Sequence, residues 1–176
     1  MQYLEKDELA RLFAVAAKYD RLHHLALLAS LTHGLRASEV IRLRGTDIRD
    51  GRITVQRLKN SRKTIQPLRL NTSDPLFDES PLIELAKQCG SERLFKWSRQ
   101  FMDRFIKRFG QEAGLREDCC HHHVLKHSAA MLVWSKSQSL GQVQNWLGHR
   151  SSSSSVAYLA VVDEMKAFNS MSEALG

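Results

Sequence analysis

The residue that points most directly to chemistry is a tyrosine close behind a Gly-His pair. Tyr158 follows His149 by nine residues, and a run of serines at 151–155 lies between them. A phenol can attack phosphorus to form a phosphotyrosine ester, which conserves the energy of the broken phosphodiester bond. A single tyrosine flanked by Ala157 and Leu159 is more often a packing residue. The interpretation therefore depends on the residues that accompany it.

An arginine in the segment 34–39, of sequence GLRASE, is a candidate phosphate ligand. Arg36 follows a Gly-Leu turn at a predicted helix start, where a guanidinium can hold two phosphate oxygens with a fixed fork. The other interpretation is an ion pair with Glu39, three residues further on. Glu39 would serve equally well to orient Arg36.

Basic residues surround a predicted hairpin turn near Asn60. Lys59 lies at the turn, where its ammonium group could protonate a leaving oxygen as a general acid. A lysine on a basic hairpin is more often a phosphate contact, and Lys63 competes for the same assignment. The residues that we expect to contact the phosphates of a polyanionic backbone are Arg57, Arg62 and Lys63.

Two histidines and a lysine, His123, Lys126 and His127, share one face of a predicted helix. Cysteines and histidines at 119–122 raise the alternative of a zinc site. Their spacing matches no two-cluster zinc motif, and a second pair of ligands is missing, so we predict no metal site. His149 follows a Trp-Leu-Gly sequence, and a polar cap at a helix end is the alternative to a catalytic role.

Together these segments resemble the catalytic domain of the tyrosine recombinases, the phage integrase family. GLRASE resembles the first arginine box, and HVLKH at 123–127 resembles the His-x-x-Arg-His box. The sequence LGH at 147–149, followed nine residues later by Tyr158, resembles the third box and the nucleophile. The resemblance spans almost the whole chain, and the ordered set is more specific than any one motif. Lys126 departs from it, since the family has an arginine there.

The resemblance implies a mechanism and a set of roles. Tyr158 would attack the scissile phosphate and form a 3′-phosphotyrosyl link, and His123 would assist the transfer of its proton. Lys59 would protonate the leaving oxygen. The groups that would hold the non-bridging oxygens are Arg36, Lys126 and His149. No metal or nucleotide cofactor is implied, and the expected partners are double-stranded DNA and further copies of the chain, as a tetramer on paired recombination sites.

The net charge of +7 is concentrated in one segment. Residues 42–69 contain nine Arg or Lys against Asp47 and Asp50, so the rest of the chain is neutral. Such a block is typical of a surface that binds a polyanion. Nucleic acid fits better than a membrane, because no apolar run approaches the ~20 residues of a membrane span and no amphipathic anchor is evident. The first residues do not resemble a signal peptide, and three cysteines form no disulfide framework, so we expect a cytoplasmic protein.

The hydrophobic pattern predicts a mainly α fold with a small antiparallel β-sheet (α+β). Strands are expected at 53–55 and 64–66, with turns at 50–51 and 60–61, and Pro67 at a strand end or sheet edge. Helices are expected at 5–18, 21–32, 36–44, 82–88, 98–114, 122–136, 140–147 and 163–174.

We expect residues 1–176 to form one catalytic domain, without the N-terminal DNA-clamping domain that the family usually carries. The chain would then be a fragment or a short recombinase. Two other functions remain open: a type IB topoisomerase with the same chemistry, and a non-catalytic DNA-binding regulator of the same fold.

Overall fold

In a computed structural model of the protein, residues 2–58 and 61–150 are described, together with Tyr158, Met171 and Ala174. The fold is mainly α-helical with a small antiparallel β-sheet, as the sequence predicts. The α-helices of this part are α1 (Lys6–Tyr19), α2 (Arg21–His33), α3 (Ala37–Val40), α4 (Ser80–Cys89), α5 (Arg99–Glu112), α6 (His123–Ser137) and α7 (Leu140–Leu147). The strands are β1 (Ile48–Arg49), β2 (Arg52–Val55) and β3 (Thr64–Pro67).

The sheet is antiparallel in the order β1-β2-β3. Arg49 pairs with Arg52, so Asp50 and Gly51 form a two-residue turn with φ angles of 51° and 67°. Positive φ at both positions matches the twist of the flanking strands, which explains the Asp-Gly sequence. Pro67 ends the edge strand β3. The turn at 50–51 and the position of Pro67 confirm the sequence prediction.

The predicted helix at 36–44 is wrong in length, because α3 stops at Val40. The Arg44 amide donates to the Asp47 carboxylate over 2.8 Å and begins a single-turn 3-10 helix that leads directly into β1. A side chain at Gly45 would run into the backbone of α4. Close packing against α4 therefore overrides helical propensity in this segment.

Two groups of apolar side chains form the interior. The larger lies among α1, α2, α4, α5 and the inner face of the sheet. The smaller joins α6 to α7 and includes Trp134, Val143, Leu147 and Tyr158. None of the helices in the described part is long and apolar enough to cross a membrane. Of the predicted helix at 163–174 only Met171 and Ala174 are described, and the serine run lies outside the described residues.

Candidate active site

Two glycines allow the elements of the site to approach one another. Gly34 ends α2 with φ of 59°, and a side chain there would collide with Leu147 at the end of α7. Gly148 ends α7 with φ of 70°, and a Cβ there would lie 2.7 Å from the Arg62 carbonyl oxygen of the hairpin. The glycines of the first and third motifs therefore lie where α2, α7 and the β2–β3 hairpin touch.

Glu39 organises the first motif from a fully buried position. Its carboxylate accepts the Arg36 amide at 2.9 Å, the Arg36 guanidinium at 2.8 Å and the Leu58 amide at 3.1 Å. Burial alone would raise the pKa of Glu39, but these amides and the charges of Lys126 and Arg57 outweigh it and lower the pKa. Glu39 is therefore ionised and orients Arg36, whose side chain remains 21% exposed.

The structure corrects the prediction that Arg57 contacts DNA. Its side chain is 0% exposed. Its N–H groups donate within the protein to the Thr64 hydroxyl (3.0 Å), the Glu39 carboxylate (3.3 Å) and the carbonyl oxygens of Gly34 (3.0 Å), His33 (2.7 Å) and Trp146 (3.2 Å). An arginine has five such donors, so this guanidinium has none left for a phosphate.

Lys126 enters the same region from α6 and is buried. Its ammonium group donates to the Gly34 carbonyl over 3.1 Å, the same oxygen that accepts from Arg57. Burial and the neighbouring charges of Arg36 and Arg57 lower the pKa of Lys126 to about 7, against the opposing effect of Glu39. Lys126 therefore loses its charge close to neutral pH.

His149 lies directly after the turn at Gly148 and is also buried. Burial lowers the pKa of His149 to about 4, and the charges of Lys126, Arg36 and Arg57 contribute to the shift. The imidazole is therefore neutral at pH 7, with one N–H on the ring.

Tyr158 packs against the α6 face that carries the second motif. Burial raises the pKa of Tyr158 to about 12, and Arg36 acts in the opposite direction. The centroid of the His127 ring lies 6.0 Å from that of Tyr158, and the centroid of the His123 ring lies 4.5 Å from that of His127. His127 Nδ1 faces the Gln2 carbonyl at 3.0 Å. Because a carbonyl only accepts, Nδ1 donates, which leaves Nε2 of the neutral ring as a proton acceptor.

Both histidines are neutral at pH 7. Partial desolvation and the neighbouring His127 and Lys126 lower the pKa of His123 to about 4, although His123 is the more exposed ring. Desolvation also lowers the pKa of His127. Among the described residues no three His, Cys, Asp or Glu side chains are grouped so as to hold a metal ion.

The hairpin brings further basic groups to the edge of the site. Arg62 and Lys63 are exposed, and the Arg62 amide donates to the Gly148 carbonyl over 2.7 Å. They line a cavity of about 470 Å³ together with Trp146 and His149. Lys59 lies outside the described residues.

The electrostatic feature of the assembled site is an excess of positive charge. Arg36 and Arg57 are cations that repel the charge of Lys126. Among the described residues whose charges shift the pKa of Lys126, Glu39 is the one carboxylate. Uncompensated buried charge is costly, so an anion is the ligand that this arrangement favours. The sequence identified Arg36, Lys126, His149 and Tyr158, which the fold brings together. It did not identify the roles of His127 and Arg57, because only the fold shows what these side chains contact.

A mainly helical domain with this sheet and these three motifs defines the catalytic-domain fold of the tyrosine recombinases. The sequence model described as the phage integrase family matches residues 2–165. Escherichia coli K12 FimE, a type 1 fimbriae regulatory protein, is 32% identical over 145 residues, covering 76% of this chain and 72% of FimE. The chain therefore belongs to the phage integrase family of tyrosine recombinases.

Solved structures of DNA complexes share the fold. The XerH site-specific recombinase in its pre-cleavage complex with difH superposes with a TM-score of 0.71 at 21% identity, covering 90% of this chain. A λ integrase tetramer bound to a Holliday junction gives a TM-score of 0.67 at 21% identity, covering 86% of this chain. The chain spans 50% of that XerH chain and 47% of that λ integrase chain.

Proposed function

We propose that this protein is a site-specific recombinase that cuts and rejoins DNA through a 3′-phosphotyrosine intermediate. The observation that carries the proposal is the cluster of Arg36, Arg57 and Lys126 around one carboxylate, Glu39, with Tyr158 in the same site. A scissile phosphate supplies the anion that this cluster lacks. Membership of the phage integrase family supports the same assignment.

Each group has one role in the cleavage step. The Tyr158 oxygen attacks phosphorus, the bond from phosphorus to the 5′ oxygen breaks, and the phosphotyrosyl ester forms. Arg36, Lys126 and His149 donate to the non-bridging oxygens, whose negative charge grows in the transition state. Lys59 protonates the leaving 5′ oxygen, which departs as a hydroxyl.

The proton of Tyr158 passes to the histidines of the second motif. A phenol whose pKa is about 12 needs a base at neutral pH. His123 assists this transfer, and the neighbouring His127, whose ring centroid lies 6.0 Å from that of Tyr158, offers Nε2 as a proton acceptor.

Rejoining reverses the cleavage step with a 5′-hydroxyl from a partner duplex. No external energy source is needed, because the phosphotyrosyl ester retains the energy of the original bond. We propose that four copies of the chain act on two DNA sites, a model supported by the λ integrase tetramer on a Holliday junction. Exposed Arg62 and Lys63 contact the DNA backbone beside the cleavage site.

A nicked suicide duplex that carries the cognate site tests the nucleophile. The parent protein should give an adduct that resists SDS, and Tyr158→Phe should abolish it while DNA binding persists. His127→Ala should slow adduct formation by at least ~10²-fold if it takes the proton. An undiminished adduct from Tyr158→Phe would exclude that residue as the nucleophile.

The same assay separates the two other functions. A non-catalytic DNA-binding regulator would bind the site and yield no adduct from the parent protein. A type IB topoisomerase would yield an adduct and relax supercoils, but would not exchange strands between two paired sites. Strand exchange between labelled duplexes is the outcome expected here.

A further inference from the structure

We infer that Arg57 is a positioning residue of the cleavage site. Through buried hydrogen bonds it sets the geometry of Arg36, Lys126 and His149. The inference rests on the proposed function and goes beyond it, because Arg57 touches no reacting atom. Its side chain is fully buried, and its guanidinium joins the segment that follows β2 to the end of α2, to α3 and to α7.

The first connection runs to Arg36. Arg57 Nη1 lies 3.3 Å from Glu39 Oε2, and Glu39 Oε1 accepts from the Arg36 guanidinium at 2.8 Å. Glu39 is thus held between two arginines and by the Leu58 amide. Loss of Arg57 would leave the Glu39 carboxylate held by the Arg36 and Leu58 amides, so the position of the Arg36 guanidinium would be less tightly constrained.

The second connection runs to Lys126. Arg57 Nη1 and Lys126 Nζ both donate to the Gly34 carbonyl, at 3.0 and 3.1 Å. Two cations on one oxygen repel each other, so Arg57 sets both the position and the proton affinity of Lys126. The charged or titratable groups that act on or are acted on by Lys126 are Arg36, Glu39, Arg57, His123, His127 and His149.

The third connection runs to His149. The Trp146 carbonyl near the end of α7 accepts from Arg57 Nη2 at 3.2 Å and from Gln66 Nε2 at 2.8 Å. The Trp146 indole donates to the Thr32 carbonyl of α2 at 3.0 Å. These contacts hold Trp146, three residues before His149, in place. The backbone that carries the His149 imidazole is therefore constrained.

A purely structural role would lower stability and would leave the ionisation of the site unchanged. The matched variants are therefore Arg57→Lys, which keeps the charge and loses the fork, and Arg57→Gln, which loses the charge. Single-turnover adduct formation at limiting protein is measured from pH 5.5 to 9.5, since such rates report ionisations of the free protein. Lys126→Arg identifies the alkaline limb that belongs to Lys126, because arginine does not deprotonate in this range. Circular dichroism establishes that each variant is folded.

Both Arg57 variants should cleave about tenfold or more slowly than the parent, with DNA affinity nearly unchanged. Arg57→Gln should also move the midpoint of the alkaline limb upward by about one pH unit, because Lys126 loses a repelling charge. Arg57→Lys should leave that midpoint in place. A folded Arg57→Gln variant with the parental midpoint, or with the parental rate, would overturn the inference.

Thr64→Val provides a milder variant if neither Arg57 variant folds. It removes only the hydroxyl that accepts from Arg57 Nε at 3.0 Å. Cleavage should fall about three- to tenfold with the alkaline midpoint unchanged, and a parental rate would overturn the positioning role. Failure of the parent itself to form an adduct would remove the proposed function, and this inference with it. A parental adduct together with unaffected Arg57 or Thr64 variants would remove the inference alone.

Discussion

At the scale of single residues, Lys126 occupies a setting that disfavours its own charge. It is buried, and its ammonium group shares the Gly34 carbonyl with Arg57. The pKa of Lys126 falls to about 7 because of burial first and the arginines second. The family's arginine at this position would stay charged at any pH of interest and would offer a planar fork. The lysine therefore makes the site sensitive to pH.

We predict that cleavage decreases as the pH rises through neutrality. In the proposed mechanism the protonated form of Lys126 is the phosphate ligand, and its pKa of about 7 means that the charge is lost above pH 7. The protonated fraction of Lys126 falls about tenfold from pH 6 to pH 8, so the cleavage rate at limiting protein should fall by about the same factor. Lys126→Arg should remove this decrease and raise the rate, with DNA affinity nearly unchanged. Single-turnover rates across the pH range provide the measurement.

Lys126→Ala should lower cleavage by at least ~10²-fold, by analogy with the loss of one oxyanion donor. Cleavage at the parental rate by Lys126→Ala would place the residue outside the chemistry. A slower Lys126→Arg variant would instead mean that the site is built around the smaller ammonium group.

Arg57 shows where residue-level prediction from the sequence fails. Arg57, Arg62 and Lys63 belong to the same basic segment, and all three were expected to contact DNA. Arg62 and Lys63 are exposed, whereas Arg57 is buried and binds Glu39. Residue type and spacing indicate the available charge. The partner of a buried guanidinium depends on contacts that are distant in the sequence.

At the scale of elements, the site forms where the C-terminal ends of α2 and α7 contact each other and the β2–β3 hairpin. The end of α2 meets Leu147 at Gly34, and the end of α7 meets the hairpin at Gly148. Gly114 also has a positive φ, of 66°, but no atom lies within 4 Å of a Cβ built there. A comparison of alanine substitutions at Gly114 and Gly148 therefore separates two contributions to the free energy of unfolding. One is backbone strain, and the other is steric overlap with a neighbouring segment.

We predict that Gly148→Ala is far more harmful than Gly114→Ala. Gly114→Ala should cost about 1 kcal/mol of unfolding free energy through strain alone. Gly148→Ala adds a contact of 2.7 Å with the Arg62 carbonyl and should cost about 2 kcal/mol or more. It should also slow cleavage, because α7 must move away from the hairpin. Urea unfolding measures both costs, and equal values would contradict the close approach.

A buried histidine joins α2 to the start of α6. The Ser30 hydroxyl donates to the Ala26 carbonyl at 2.6 Å, so it accepts from His122 Nε2 at 2.9 Å. Among the described residues no partner satisfies the buried His122 Nδ1. Burial, with smaller effects from nearby charges, lowers the pKa of His122 to about 3.

This arrangement predicts a loss of stability in mild acid. The folded state disfavours the protonated ring, so stability is full above the unfolded pKa of about 6.5 and falls as the pH drops below it. At pH 5 the loss from His122 should be about 2 kcal/mol, or roughly 5 °C in melting temperature. His122→Gln keeps a donor toward Ser30 and should remove this part of the acid sensitivity. His121→Gln, at a half-buried neighbour, serves as the control and should retain it.

The elements that the sequence predicted well are those whose signals are local. The Asp50-Gly51 turn, the Ser98 cap of α5 and the ends of α2 and α7 all follow from the residues themselves. The predicted helix at 36–44 failed because α4 packs closely against Gly45. Such packing joins segments about forty residues apart, and a periodic pattern carries no information about it.

At the scale of the whole molecule, most of the basic side chains in the segment 42–69 face outward. The basic residues of this segment that are exposed are Arg42, Arg44, Arg49, Arg52, Arg62, Lys63 and Arg69. Arg49 and Arg52 even pair directly across β1 and β2. Like charges in that position destabilise a sheet, which suits a surface whose repulsion is relieved by a polyanion.

DNA affinity should therefore depend steeply on salt, with a log-log slope of about −0.9 for each phosphate neutralised. Exchanging Arg62 and Lys63 together for Ala should make the slope shallower by about 1 to 2 units. Arg57 is left intact in this test, because its removal would break buried hydrogen bonds to Gly34 and Glu39 in the site. Arg104 and Lys107, exposed on α5 and outside the basic segment, form the matched control pair and should leave the slope unchanged. Fluorescence anisotropy with a labelled duplex over a salt series measures the slopes. An affinity independent of salt, or equal effects of the two double substitutions, would remove the hairpin from the DNA interface.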